Sequence, residues 1–289
     1  MNVPNEGPTT IYVACFAIAT TLALLVLLTI IQRFLYPKPI AHDLAEGNNA
    51  RRLKRVGQVV AVFLVSASVV KNGVKGENIA HDIAWVAAFG AAAVVLVSLT
   101  GRLGVQLLLQ SRLPKEIDRG NVAAGVAAAA NYVATGIITA RAIAGSSLHD
   151  LGLSLVFFVI AQVTLHLFAI LFRALTTYDD AEQIAGENLA AALSYSGLLI
   201  AVAIVVARAV EGDFTTWPAA LKGYGLVLVS LLAFYPVRQL FVQMLLLHAP
   251  FALRGGKLDA AISSERNVGM GALEAAAYVA TALAIVELA

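Results

Sequence analysis

Apolar positions along this chain neither alternate nor recur in short amphipathic windows. They run on in eight long stretches, at approximately 11–35, 53–72, 83–110, 122–144, 151–175, 189–210, 219–247 and 268–288. A helix crossing the hydrocarbon core of a bilayer needs about 20 mostly apolar residues. Each stretch is too long for a strand and lacks the alternation of a membrane barrel. In lipid the backbone groups must bond within their own segment. The pattern therefore predicts an all-α integral membrane protein with eight transmembrane helices. The stretch 83–110 carries Arg102 near its end, so it protrudes or tilts.

The polar breaks have a pattern of their own. Four times a charged burst ends at an asparagine and small apolar residues follow: EGNNARRLKRVGQVV from Glu46, RGNVAAGVAAAANYV from Arg119, GENLAAALSYSGLLI from Gly186 and ERNVGMGALEAAAYV from Glu265. Asn48, Asn121, Asn188 and Asn267 align, 73, 67 and 79 residues apart. Each opens an even-numbered helix. The repeating unit is a helical hairpin, and the four hairpins share one orientation, as parallel repeats do. They span 11–72, 83–144, 151–210 and 219–288 of a single membrane domain, 1–289. Asparagine is a strong N-cap, because its side-chain oxygen accepts an orphan N–H of the first turn. The small residues that follow allow close helix approach, with Gly125 and Ala129, and Gly271 and Ala275, at small-xxx-small spacing. The four asparagines are helix caps or, set in a ring, the lining of a vestibule.

Composition agrees. The chain is 60% hydrophobic and 13% charged, against roughly a quarter charged in soluble domains. Lipid must cover part of the surface, which makes the bilayer the first partner. A net charge of +2 gives no argument for nucleic acid, and the single cysteine, Cys15, excludes an intrachain disulfide and multi-cysteine zinc sites. Thirteen Lys and Arg flank the first, third, fifth and seventh loops, whereas five lie in the even loops and the N-terminal tail. The positive-inside rule then predicts cytoplasmic odd loops and both termini outside. The tail MNVPNEGPTT has no basic residue and no cleavage site follows the first run, so the run reads as a retained helix.

The charged loop, acidic residue and N-x-A or N-x-x-x-G opening of a small-residue helix resemble the YjfL-like bacterial inner-membrane proteins, the domain of unknown function 350. The segment RLPKEIDRGNVAAGVAAAANYVATGIITARAIAGSSLHDLG (112–152) is most similar. The resemblance covers nearly the whole chain, with Arg51, Arg52, Lys54 and Arg55 a departure after Asn48. It implies tandem helix pairs, a bacterial plasma (inner) membrane location, an unassigned activity, and association with envelope-stress proteins of the phage-shock type.

Ionisable and polar residues at membrane depth are functional candidates. RLGVQLLL (102–109), QVTLHLFA (162–169) and QLFVQMLL (239–246) each place two polar groups four apart, on one helix face. Gln106, His166 and Gln243 could then face a common interior, as a polar pathway or as interhelical hydrogen bonds. His166 has no second histidine at ligand spacing, so no metal site is read here. Glu274 lies seven residues into the eighth helix, and the aligned position in the second is Arg55. The two form a charge pair closing a ring of repeats, or Glu274 is an ion-binding or protonatable carboxylate. Asn131 is polar deep in the fourth helix. Tyr235–Pro236 predicts a kink in the seventh, since proline removes a backbone donor.

No phosphate-binding glycine loop, HExxH or G-x-S-x-G is present, and no loop is long enough for a soluble catalytic domain. The expectation is a protein that is not an enzyme and needs no cofactor. Two functions stay open. One is a passage for an ion or small solute between hairpins, in which Gln106, His166, Gln243 and Glu274 converge on one wet cavity. The other is a non-transporting scaffold recruiting a cytoplasmic membrane-stress protein, in which they pair off in separate dry contacts. Homo-oligomerisation is open in both.

Overall fold

The computed structural model describes residues 10–35, 47–108, 113–212, 214–252 and 254–288. Eight helices long and apolar enough to span a membrane are present, and no strand occurs among the described residues. The chain is a multi-pass membrane protein. In chain order the elements are α1 (Thr10–Leu35), α2 (Asn49–Gly73), α3 (Ile79–Leu108), α4 (Leu113–Asp118), α5 (Val122–Ala142), α6 (Leu148–Arg173), α7 (Asp180–Ala185), α8 (Leu189–Ala209), α9 (Trp217–Val229), α10 (Phe234–Val237), α11 (Lys257–Ser263) and α12 (Val268–Leu288). A 3₁₀ turn at Ser230–Ala233 and a π-helical segment at Arg238–Leu246 complete the seventh span around α9 and α10.

Each hairpin contributes one odd and one even span. The even spans α2, α5, α8 and α12 stand in an open row, each touching its neighbours, and the odd spans pack along one side of that row. Small residues set the spacing. A methyl group on Gly57 would fall 2.4 Å from the Ala129 carbonyl oxygen, and one on Gly271 would fall 2.2 Å from that of Ala190. Backbone therefore lies against backbone, which is how van der Waals contact replaces the hydrophobic effect between helices in lipid. The outer faces carry large residues, such as Leu155, Val159, Val163 and Leu167 on α6. The row has two ends. Arg55, on α2 at one end, donates to Gln58 and Thr29, while Glu274 lies on α12 at the other. The expected Arg55–Glu274 pair and the closed ring are therefore not formed.

The asparagines sit at one end of the bundle, and each caps its own helix: Asn48 accepts from Arg51 N, Asn121 from Ala124 N, Asn188 from Ala191 N and Asn267 from Met270 N, all at 3.0–3.2 Å. The residue just before each is left-handed: Gly47, Gly120, Glu187 and Arg266. Three of the side chains do more. Asn48 Nδ2 donates to the Ile117 carbonyl (2.8 Å), Asn121 Nδ2 to Ile184 (2.7 Å) and Asn188 Nδ2 to Ile262 (2.8 Å). Each acceptor lies at or near the end of the short helix α4, α7 or α11, which precedes the next asparagine. The asparagines thus stitch each hairpin to its successor in a line and do not ring a vestibule.

In the seventh span Pro236 cannot donate a backbone bond, so a regular helix cannot run through it. The expected kink is realised as a change of helix type, 3₁₀ before the proline and π after it. The π segment buries Arg238, Gln239, Val242 and Gln243 against the rest of the bundle.

Candidate functional site

The wide turn of the π segment aims Arg238 at α11 and α12. Its guanidinium forms short ion pairs with Glu274, through Nε, and with Asp259, through Nη2. All three side chains are at most 2% exposed. Asp259, on α11, also accepts from the Thr177 amide (2.8 Å) and hydroxyl (3.0 Å). Glu274 accepts from Ser194 Oγ of α8 (2.5 Å) and from Tyr278 Oη one turn on (3.4 Å). Ser194 in turn accepts from Arg173 Nη1 (3.1 Å), and Arg173 closes a bidentate pair with Asp180. The side chains of Arg173 and Asp180 are 10% and 9% exposed, and the Arg173 guanidinium lies 5.1 Å from the centre of the Tyr178 ring.

One polar chain results: Asp180, Arg173, Ser194, Glu274, Arg238, Asp259, Thr177. It ties the third hairpin to the fourth. It holds three carboxylates and two guanidiniums, so with every group ionised it carries one negative charge in excess. Isolated charge is costly in a low-dielectric interior, by several kcal/mol per ion even after relaxation. Burial pushes the Asp180 carboxyl above the usual carboxylate range, against the pull of Arg173. Burial likewise pushes the Tyr178 phenol up to about 12.

The sequence candidates divide between two places. Glu274 is in this cluster, and Gln243 borders it, fully buried in the π segment and donating to the Pro250 carbonyl (2.8 Å). Asn131 and His166 meet elsewhere, where α3, α5 and α6 touch. Asn131 donates to the Gly101 carbonyl (2.8 Å), and a methyl group on Gly104 would fall 2.8 Å from His166 Cε1 and 2.9 Å from Asn131 Oδ1. Gln106, two residues along α3, is half-buried. The expected common cavity for Gln106, His166, Gln243 and Glu274 is not formed. Along an open row the second, third and fourth hairpins, which carry these residues, do not turn their polar faces to one interior. Sequence reasoning missed Arg173, Asp180, Ser194, Arg238 and Asp259. Arg238 alone carried a signal, as an arginine inside an apolar run.

A cavity of about 880 Å³ opens at the opposite end of the bundle, among the C-terminal ends of α2, α5 and α8 and the starts of α6 and α9. Lys71, Lys75, Arg141, Arg208, Asp150 and Glu211 line it, with Arg141 and Glu211 paired at 2.7 Å. None of the sequence candidates does. Tyr224 stands in its wall and donates to Thr164 Oγ1 of α6 (2.7 Å). On α6 and α8, Gln162 and the Tyr195 hydroxyl are buried with no protein partner among the described residues.

No curated protein and no solved structure matches the chain. The model of the family described as Domain of Unknown Function (DUF350) matches it twice, over residues 8–143 and 146–288. Each match spans two hairpins and includes one α2·α5 or α8·α12 contact, so the family unit here is four membrane helices and not the helix pair the resemblance implied. With both units of its length accounted for, this multi-pass membrane protein belongs to the DUF350 family.

Proposed function

We propose that the protein is a pathway for an ion or small solute in the bacterial inner membrane, located between the third and fourth hairpins and built on the buried charge cluster around Glu274. The observation that carries this reading is the buried cluster of three carboxylates against two guanidiniums. Such a cluster takes up a proton or a small cation in order to be neutral, and releasing it requires access. Asp180 and Asp259 lie in the short helices α7 and α11 of the loops assigned to the cytoplasm, which gives the inner approach. The 880 Å³ cavity is the outer one. Tyr224, Thr164, Gln162 and Tyr195 offer hydrogen-bonding groups on the helices between.

The test is flux through purified protein in liposomes, under proton and monovalent-ion gradients. Wild type is expected to conduct, and Glu274→Gln and Gln243→Leu to conduct at least about tenfold less. Glu274→Gln brings the cluster to two charges of each sign, so it folds, and its loss of flux reports function. Lipid-facing Leu167→Ala serves as the unaffected control.

A second reading is favoured by the division of the polar candidates into two separate contacts. In it the chain is a scaffold, and the short helices α4, α7 and α11, fixed by asparagine side chains, present a rigid cytoplasmic surface to a membrane-stress protein. Absence of flux across several ions and pH values, together with saturable binding of a purified phage-shock-type protein, would select it. Neither reading gives the chain a catalytic role or a cofactor.

A further inference from the structure

Counting from each asparagine makes the contacts within the row comparable residue by residue. The α2·α5 and α8·α12 contacts are one and the same. Ala50 and Gly57, or Ala190 and Gly197, stand 2 and 9 residues after their asparagine, and they meet Gly125 and Ala129, or Gly271 and Ala275, which stand 4 and 8 residues after theirs. The α5·α8 contact joins the two family units.

On α5 and α8, which touch each other, the faces left over by those contacts are buried. On α5, the positions 2, 9 and 13 after Asn121 are Ala123, Ala130 and Ala134, at most 5% exposed. On α8, the positions 8, 15 and 19 after Asn188 are Ser196, Ala203 and Ala207, at most 7% exposed. The outer helices of the row repeat these faces uncovered. On α12 the same counts give Gly269, Ala276 and Ala280, all exposed. On α2 they give Val56, Phe63 and Ala67, all exposed. The stitching stops at the same edge: Asn48, Asn121 and Asn188 each donate to the next hairpin, whereas Asn267 is exposed and, among the described residues, its side chain bonds to Met270 N alone.

We infer that a second copy of this chain docks head to tail, its α2 face on the α12 face of the first, repeating between chains the α5·α8 contact within one. All copies insert with one orientation, so the two helices meet parallel, as α5 and α8 do. Two different faces meet, so the contact is heterologous, and the row closes into a ring where the rotation per chain divides the circle and otherwise extends. Val56 and Phe63 replace Ser196 and Ala203, which makes the contact between chains wider and more apolar than the junction it copies. The inference stands on the repeat geometry and is independent of the pathway reading.

Cysteine cross-linking in native membranes tests it, in a Cys15→Ser background with Val56→Cys on α2 and Ala276→Cys on α12. The double variant is expected to give a ladder of two, three and more chains under oxidation, and neither single variant a ladder. A monomer from the double variant overturns the proposal. So does a covalent dimer from Ala276→Cys alone, which would mean α12 pairing with α12. As an independent measure, wild type in nanodiscs should have a multiple of the chain mass. Ala276→Leu with Ala280→Leu should have the single-chain mass at an unchanged unfolding temperature. A single-chain mass for wild type overturns the proposal as well.

Discussion

Arg238 and Glu274 face each other across the contact between the π segment and α12, joined by a short ion pair in which neither side chain is more than 2% exposed. The seventh span presents this arginine because Pro236 blocks a regular helix and the π segment that follows turns Arg238, Gln239, Val242 and Gln243 inward.

Removing the arginine leaves three buried carboxylates facing Arg173 alone. Arg238→Met is expected to lower stability by about 3–5 kcal/mol, the cost of stranding buried charge. Glu274→Gln, which removes the excess charge and keeps a hydrogen-bonding side chain, is expected to leave the unfolding temperature unchanged or raised. Thermal unfolding in one detergent compares the two. A harmless Arg238→Met would mean that the cluster is already wet.

The asparagines separate capping from stitching. Asn188→Ser keeps an oxygen for the Ala191 amide and loses the bonds to the Ile262 carbonyl and Gln183 Oε1. It is expected to cost about 2 kcal/mol, two net hydrogen bonds. Asn267→Ser keeps the cap to the Met270 amide, the one bond its side chain makes among the described residues, and is expected to be neutral within ~0.5 kcal/mol. Equal losses at the two sites would remove the stitching role.

Glycines give an opposed pair. Gly57→Ala must drive α2 away from the Ala129 backbone, at a cost of about 1–3 kcal/mol for overpacking. Gly152, inside α6, has nothing within 4 Å of its Cβ position. Gly152→Ala should therefore stabilise by about 0.5–1 kcal/mol through helix propensity. Denaturation midpoints moving the same way for both would contradict the close-approach interface.

Glu187 holds a left-handed backbone (φ 64°) where Gly47 and Gly120 stand in the first two hairpins. Its ion pair with Arg119 joins two side chains that are at least half exposed and is worth little. Glu187→Gly is expected to stabilise by about 1 kcal/mol by relieving αL strain. A loss of stability on calorimetry would show that the exposed pair outweighs the strain.

The helices, their ends and their grouping in four were legible in the sequence. Length and apolarity alone decide what can cross a bilayer, and an N-cap asparagine acts within its own first turn. Gly125 and Ala129 announced close packing for the same reason: a missing side chain is visible wherever its neighbour stands. Pro236 announced a break, because its missing donor is a local fact.

Partners across the row were another matter. Asn48, Asn121 and Asn188 reach carbonyls more than 60 residues away, and a backbone carbonyl leaves no mark in a sequence. Glu274 was recognised as out of place, but it was matched to Arg55, at the aligned position of the second helix, and Arg238 was passed over. Choosing between them required knowing that the row is open, which puts α2 and α12 at opposite ends, and that a π turn carries Arg238 inward. The sequence by itself determined the spans, the repeat and the caps, since these follow from transfer free energy and bonds within one turn. Only the tertiary structure decided which buried charges meet, because that depends on the side of the row each helix presents to the next.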